Sequence, residues 1–203
     1  VTLAANNGAS REVVATFESG LASAQVKVAQ GIDPNNKVGW LLVTNVSELA
    51  VGDKIIIAAQ NKDYAISTTN QTSSIKGVAI TKIGGSLVGV NEENVRVFTL
   101  MKGFVDGEFA ITYPKDEKTT NYLYTDSGNY DRLKVTTTLT YNASWTIEID
   151  SNGGALVDTT YGTSTKTTRR IMCNYTESNQ TFCTYTTTTT NKEPICIYKY
   201  YEE

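Results

Sequence analysis

A turn followed by four short β-rich runs occurs three times along this 203-residue chain. The turns are Gly52-Asp53, Asp106-Gly107 and Asn152-Gly153-Gly154. Gly paired with Asp or Asn marks tight turns, because these residues tolerate backbone conformations that others avoid. Each turn leads into an apolar run: Lys54–Ala59, Glu108–Tyr113 and Ala155–Thr160. A second run follows at Tyr64–Ser67, Tyr122–Thr125 and Arg170–Cys173. The third lies at Gly77–Thr81, Arg132–Thr136 and Thr181–Tyr185, the fourth at Arg96–Leu100, Ser144–Ile147 and Ile195–Tyr198. Thr, Val, Ile and Tyr dominate these runs, and β-branched and aromatic side chains favour extended backbone. The chain is expected to be all-β, in units of four strands with a period of about 45–55 residues. Three such units predict a β-trefoil-like barrel across residues 40–203, with the bulky residue of each fourth strand pointing inward. Closing a barrel removes free strand edges. A two-sheet β-sandwich is the alternative, since short, evenly spaced strands fit both. Only Ser47-Glu48-Leu49-Ala50 reads as helical, a single turn ahead of Asp53.

Residues 1–31 have a different rhythm. Val1–Ala5, Glu12–Glu18 and Ala24–Gln30 read as three strands joined by turn-rich segments, with a linker at 32–39 and a further strand at Trp40–Thr44. A whole sandwich domain takes about seven strands. Residues 1–31 therefore read as the end of an immunoglobulin-like sandwich, its first strands supplied upstream or by a neighbour, and the chain as part of a longer one. Ala5-Asn6-Asn7-Gly8-Ala9-Ser10-Arg11-Glu12-Val13-Val14-Ala15-Thr16-Phe17, with Ala24–Gln30, is similar to the end of BACON-type immunoglobulin-like domains. These are common in surface proteins of gut Bacteroidetes and occur in some of their phages. The run from Val43 to Ala58, with Tyr64–Ser67, Ala143–Ile147 and Ile197-Tyr198-Lys199, resembles a domain of secreted or surface Bacteroidetes proteins described as adhesins or accessory modules. The resemblance implies an extracellular or cell-surface location and no reaction.

Composition narrows the chemistry. Apolar residues are 40% and charged residues 19%, enough to bury a core. The net charge of −3 argues against a nucleic-acid partner. No apolar run is long enough to span a membrane as a helix. The chain has no His, which excludes Ser-His-Asp triads, Cys-His dyads and His-ligated metals. Three cysteines, Cys173, Cys183 and Cys196, lack zinc-site spacing. Cys173 and Cys183 could face each other across a hairpin; three small buried thiols are expected. Asp116-Glu117, Glu92-Glu93 and Glu202-Glu203 read as solvated charge. Asp126–Asp131 lacks the EF-hand spacing for calcium and reads as a turn. Thr186–Thr190 reads as an exposed loop or edge strand. Lys166, Arg169, Arg170 and Lys192 form a slightly basic cluster, a hint of anion contact that is expected instead to be a solvated face. No catalytic residue, metal or cofactor is expected, and the chain is not expected to be an enzyme.

Tyrosine is the remaining signal, with 12 Tyr against 5 Phe and 2 Trp. A phenol offers a flat apolar face and a hydroxyl, which suits wet binding surfaces. Sugar rings stack on such faces while Asp and Asn take their hydroxyls. Tyr124, Asp126, Asn129 and Tyr130 surround one turn of the second unit, and Tyr161 and Tyr175 lie at comparable places in the third. These six are the candidate glycan contacts, the glycan being of host or dietary origin. The expectation is a non-catalytic module for adhesion or glycan binding. A structural subunit of an extracellular assembly (fibre, pilus-like appendage or phage decoration) and an accessory module of a larger hydrolase are the alternatives. Their partners would be neighbouring subunits or upstream domains.

Overall fold

The computed structural model describes residues 11–19, 22–30, 37–126, 131–161 and 167–202. The described chain is all-β, with two short 3-10 turns, η1 (Val46–Glu48) and η2 (Tyr141–Ala143). The first two strands, β1 (Arg11–Ser19) and β2 (Ala22–Gln30), pair antiparallel in full register as a separate two-stranded sheet. Val1–Ala5 and most of the expected linker lie outside the described residues.

The other strands form one sheet: β3 (Gly39–Leu42), β4 (Lys54–Ala59), β5 (Tyr64–Asn70), β6 (Ile75–Ala79), β7 (Thr81–Ile83), β8 (Ser86–Val88), β9 (Phe98–Lys102), β10 (Phe109–Pro114), β11 (Thr120–Thr125), β12 (Leu133–Thr136), β13 (Thr146–Ile149), β14 (Gly154–Tyr161), β15 (Thr167–Thr176), β16 (Asn179–Thr186) and β17 (Ile195–Tyr201). Seven of them close a barrel in the order β4-β5-β6-β16-β15-β14-β17 and back to β4. A second closed circuit shares its seam. It runs β4-β9-β10, crosses by the Phe109–Trp145 bridge to β13, then passes through β14 and β17 to β4. Three hairpins, β5–β6, β11–β12 and β15–β16, hang from this circuit. Every one of the twelve runs read from residue 54 onward contains a strand or, at Ser144–Trp145, the bridge that leads into one.

Turn chemistry sets the register. Gly107 and Gly153 stand at φ 82 and φ 77, a conformation costly for any residue with a Cβ, and they end the turns into β10 and β14. Each turn is then locked by backbone bonds: Gly103 N–H to Glu108 O at 2.8 Å, and Asp150 N–H to Gly154 O at 2.8 Å.

Alternation along the strands builds two cores. Ile55, Ile57, Phe98, Leu100, Ile111, Leu123, Trp145, Ile171, Phe182, Ile195 and Ile197 are buried together inside the barrel. Phe98 and Trp145, the bulky residues of the first two fourth runs, thus lie inside; in the last run Ile195 and Ile197 do, while Tyr198 faces the other way. Trp145 has no exposed surface and donates its indole N–H to Leu123 O at 3.1 Å, satisfying its one polar atom. The opposite faces of β4 and β17 carry Ile56, Ala58, Cys196 and Tyr198, and these are buried too. β3, β8 and β7 form a flap whose Trp40 and Leu87 cover them. That is why Ile55-Ile56-Ile57-Ala58-Ala59 is apolar without alternation. The flap's β7 and β8 extend beyond the sequence reading, which ended its third run at Thr81.

A polar clasp joins the barrel's entry to its last strand. Asn45 caps η1 by accepting from Ser47 N–H at 2.9 Å, and Glu48 reaches back to accept from Asn45 N–H at 3.1 Å, a reciprocal capping box. The second Glu48 oxygen accepts from Lys37 Nζ at 2.7 Å and Tyr201 Oη at 3.1 Å. Lys199 Nζ bonds Glu48 O and the Asp53 carboxylate. Burial opposes charge on Glu48, but the donors from Lys37, Thr44 and Tyr201 win and hold its pKa at about 2.

Candidate functional site

The turn between β9 and β10 places Phe104 in solvent, 51% exposed. η2 presents Tyr141, 60% exposed, against it. Their ring centroids are 4.6 Å apart at 64°, an edge-to-face contact. Single exposed apolar residues are ordinary on any surface. Two aromatic rings held in contact on two separately anchored segments are not, and exposed apolar clusters mark interaction sites.

The anchoring is specific. Ser144 is fully buried, and its Oγ accepts from Phe104 N–H at 2.6 Å and Val105 N–H at 3.2 Å. Gly103 packs against the same hydroxyl: a Cβ there would lie 2.8 Å from Glu108 O and 2.9 Å from Ser144 Oγ. On the other side, Thr159 Oγ1 donates to Tyr141 O at 3.3 Å, and Ser144 N–H to Tyr141 O at 3.1 Å. The Phe109–Trp145 bridge, with N–O distances of 2.9 and 2.8 Å, ties both segments to the barrel. The rings therefore stand on a rigid base, which lowers the entropy lost when a ligand seats on them. The same β9–β10 connection carries an exposed Lys102–Asp106 ion pair at 3.0 Å and Glu108, whose carboxyl burial pushes above the ordinary carboxylate range.

Four of the six tyrosine-centred candidates from the sequence are among the described residues, and they are not gathered at one place. Tyr124 is half-buried on β11, opposite Lys134 of β12. Asp126 is held in an ion-pair fork, its Oδ2 accepting from Lys134 Nζ and Arg132 Nη1 at 2.9 Å each. Those donors, Lys134 first, keep its carboxyl below the ordinary range. Asn129 and Tyr130 lie outside the described residues. Tyr161 ends β14 opposite Thr167 of β15. Tyr175 lies near the far end of β15, eight residues or about 26 Å from Thr167. There it packs on Tyr64 at 5.7 Å under the Lys62 ammonium at 4.9 Å. Tyr124 and Asp126 thus share one hairpin, and Tyr175 belongs to another region. Phe104 and Tyr141 were absent from the sequence reading. An aromatic inside the polar turn Gly103–Gly107 was the available signal, since no core position is expected there.

The basic cluster divides in the same way. Arg169 is 4% exposed and pairs with Asp131 at 2.6 Å, so it is no solvated charge. Its position on β15 alternates with Ile171 and Cys173, which face the barrel core. Arg170 points the other way and pairs with Asp158. Lys166 lies outside the described residues. Thr187, Thr188 and Thr190 are exposed in the connection after β16.

The three thiols are free and buried. Cys173 lies opposite Phe182, and Cys183 opposite Met172. One register step separates the two cysteines, so they face opposite sides of the hairpin and form no bridge. Burial pushes Cys173 up to about 12 and Cys183 and Cys196 to about 11. Such thiols are poor nucleophiles.

No family model and no curated protein matches the chain. A lysenin pore crystal structure is similar at a TM-score of 0.40 and 12% sequence identity, over 89% of this chain and 54% of that one. The chain spans about half of that chain's length, and a likeness this weak carries no argument. Among the described residues no helix is long and apolar enough to cross a membrane.

Proposed function

We propose that the chain is a non-catalytic surface or secreted module for adhesion, binding a glycan on a β-trefoil barrel. The observation that carries the reading is the anchored, exposed Phe104–Tyr141 pair. The apolar C–H face of a pyranose stacks on such rings, and the carboxylates of Asp106 and Glu108 accept sugar hydroxyls. The trefoil reading is supported by the closed six-member circuit and the three hairpins that alternate with its members. The test is a glycan array probed with the native chain and with the Phe104→Ala/Tyr141→Ala double variant. The expected result is retention of a defined glycan class, at least tenfold weaker in the variant (about 1.4 kcal/mol). No retained glycan, or retention untouched by the double variant, overturns the reading.

A second reading, a structural subunit of an extracellular assembly, is favoured by β1–β2. Among the described residues this hairpin pairs with no other strand, and Val14 and Val26 on it are 47% and 49% exposed. A lone two-stranded sheet is marginal in water. In this reading it is the end of an immunoglobulin-like sandwich that a neighbouring chain completes. Light scattering separates the two: a stable oligomer supports assembly, a monomer removes it.

A further inference from the structure

A second concave site lies on the outer side of the barrel. The connection from Thr186 to Pro194 folds over the outer faces of β14 and β15 and leaves a cleft of about 300 Å³. Leu156, Met172 and Pro194 supply apolar lining, and Thr189, Thr190 and Lys192 line it from the connection itself. Few polar groups around an apolar floor is the ordinary build of a small-ligand site, and this volume is at the low end for one.

The charge of the cleft is uneven. Arg170 also lines it, but its Nε and Nη2 are committed to both oxygens of Asp158 at 2.8 Å each. That pair is internally neutral and holds the guanidinium fixed, with its remaining Nη1 free of the Asp158 fork. Lys192 differs. Its Nζ donates to Asn174 Oδ1 at 2.9 Å and lies 5.3 Å from the Tyr185 ring, both uncharged partners. The neighbouring carboxylate, Glu193, is engaged elsewhere by Asn61 N–H at 2.7 Å. Lys192 thus lines the cleft and carries, beside it, an ammonium with no carboxylate bound to it among the described residues.

We propose that this cleft binds a single carboxylate-bearing sugar ring, with the Lys192 ammonium as its anion contact. One uncompensated positive charge matches one carboxylate. The volume admits one ring, the apolar floor takes its C–H face, and the Thr189 and Thr190 hydroxyls bond its hydroxyls. A peptide would need a longer groove, and a doubly charged phosphate a second free cation. The site shares no residue with the Phe104–Tyr141 pair and does not rest on it.

The test is an amide-resolved NMR titration of the whole chain with three probes: methyl α-D-galacturonoside, the neutral methyl α-D-galactoside, and sodium acetate. The acidic glycoside is expected to shift the amides of Leu156, Met172 and Lys192, with binding that weakens as salt rises. Lys192→Gln is expected to weaken it at least tenfold. Phe104→Ala is expected to leave it unchanged, which separates this site from the aromatic pair. Asn174→Ala keeps the ammonium and is expected to keep binding. Equal binding of the neutral glycoside overturns the role of Lys192, and equal binding of acetate overturns recognition of the ring. No shift at those amides removes the site. If Asn174→Ala loses as much as Lys192→Gln, Lys192 only shapes the loop and the proposal falls.

Discussion

The buried indole of Trp145 donates its N–H to the backbone carbonyl of Leu123, 3.1 Å away. This bond joins the approach to β13 with β11, two segments of the second unit that pair with each other in no strand ladder. Trp145→Phe keeps the apolar bulk but leaves the Leu123 carbonyl without its partner. The expected loss is about 1–3 kcal/mol, the cost of an unsatisfied buried polar group. Trp145→Ala adds a cavity and is expected to cost about 3–5 kcal/mol. Urea midpoints of the two variants check this; a Trp145→Phe variant as stable as the native chain would mean that the hydrogen bond contributes nothing.

Glu48 contributes stability that acid removes. Its carboxyl titrates near 4.5 when free and at about 2 in the folded chain. A depressed carboxylate stabilises the fold above the free value, and that contribution fades as pH falls from 4.5 through 2. The shift corresponds to at most about 3 kcal/mol. Lys37, held above its free value chiefly by its hydrogen bond to Glu48, gives the opposite limb: its smaller contribution is lost only as pH rises through its folded value. Melting curves of the native chain and Glu48→Gln are expected to converge as pH drops from 6 to 2. Parallel curves across that range would show that the clasp does not titrate as described.

The thiols are expected to be silent in the native state. At pH 8 an aromatic disulfide reagent should label none of Cys173, Cys183 and Cys196 within minutes, and all three after denaturation. Burial and pKa values of about 11 to 12 both suppress the thiolate. Rapid native labelling at any one of them would contradict the packing.

The aromatic platform has its own weak point. Ser144→Ala strips the acceptor from the Phe104 and Val105 amides and is expected to cost about 1–3 kcal/mol. Gly103→Ala forces a Cβ to 2.8 Å from a backbone oxygen, so the turn must move. Both variants are expected to weaken binding at the Phe104–Tyr141 pair without touching either ring. A variant that lowers the urea midpoint yet binds glycan like the native chain would show that rigidity of the turn is irrelevant there.

Much of the barrel was legible because its turns are punctuated by Gly beside Asp or Asn, and its strands by Ile, Val and Thr. Ser47–Ala50 was read as one helical turn, and η1 occupies Val46–Glu48. The flap was only half visible. Trp40–Thr44 reads as a strand, but nothing around Gly84-Gly85, at φ 53 and 85, marks it from sequence as the hairpin joining β7 to β8. The candidate site was harder. Asp126 reads as a free ligand until the β11–β12 hairpin brings the Arg132 and Lys134 side chains onto its carboxylate. Arg169 reads as surface charge until alternation is followed back from Ile171. Phe104 and Tyr141 are distinguished from core aromatics only by exposure, a property of the packed molecule that no local pattern encodes.

The barrel's seam has a consequence for how the chain is made. Ile57 pairs with Ile197, and β17 pairs with β14, β4 and β3 together. A growing chain exposes Ile55-Ile56-Ile57 long before residues 195–201 leave the ribosome. Until then neither core can close, and an unpaired apolar edge waits in solution. A chain stalled or cut before Ile195 is therefore expected to keep Ile55–Ile57 exposed and to aggregate.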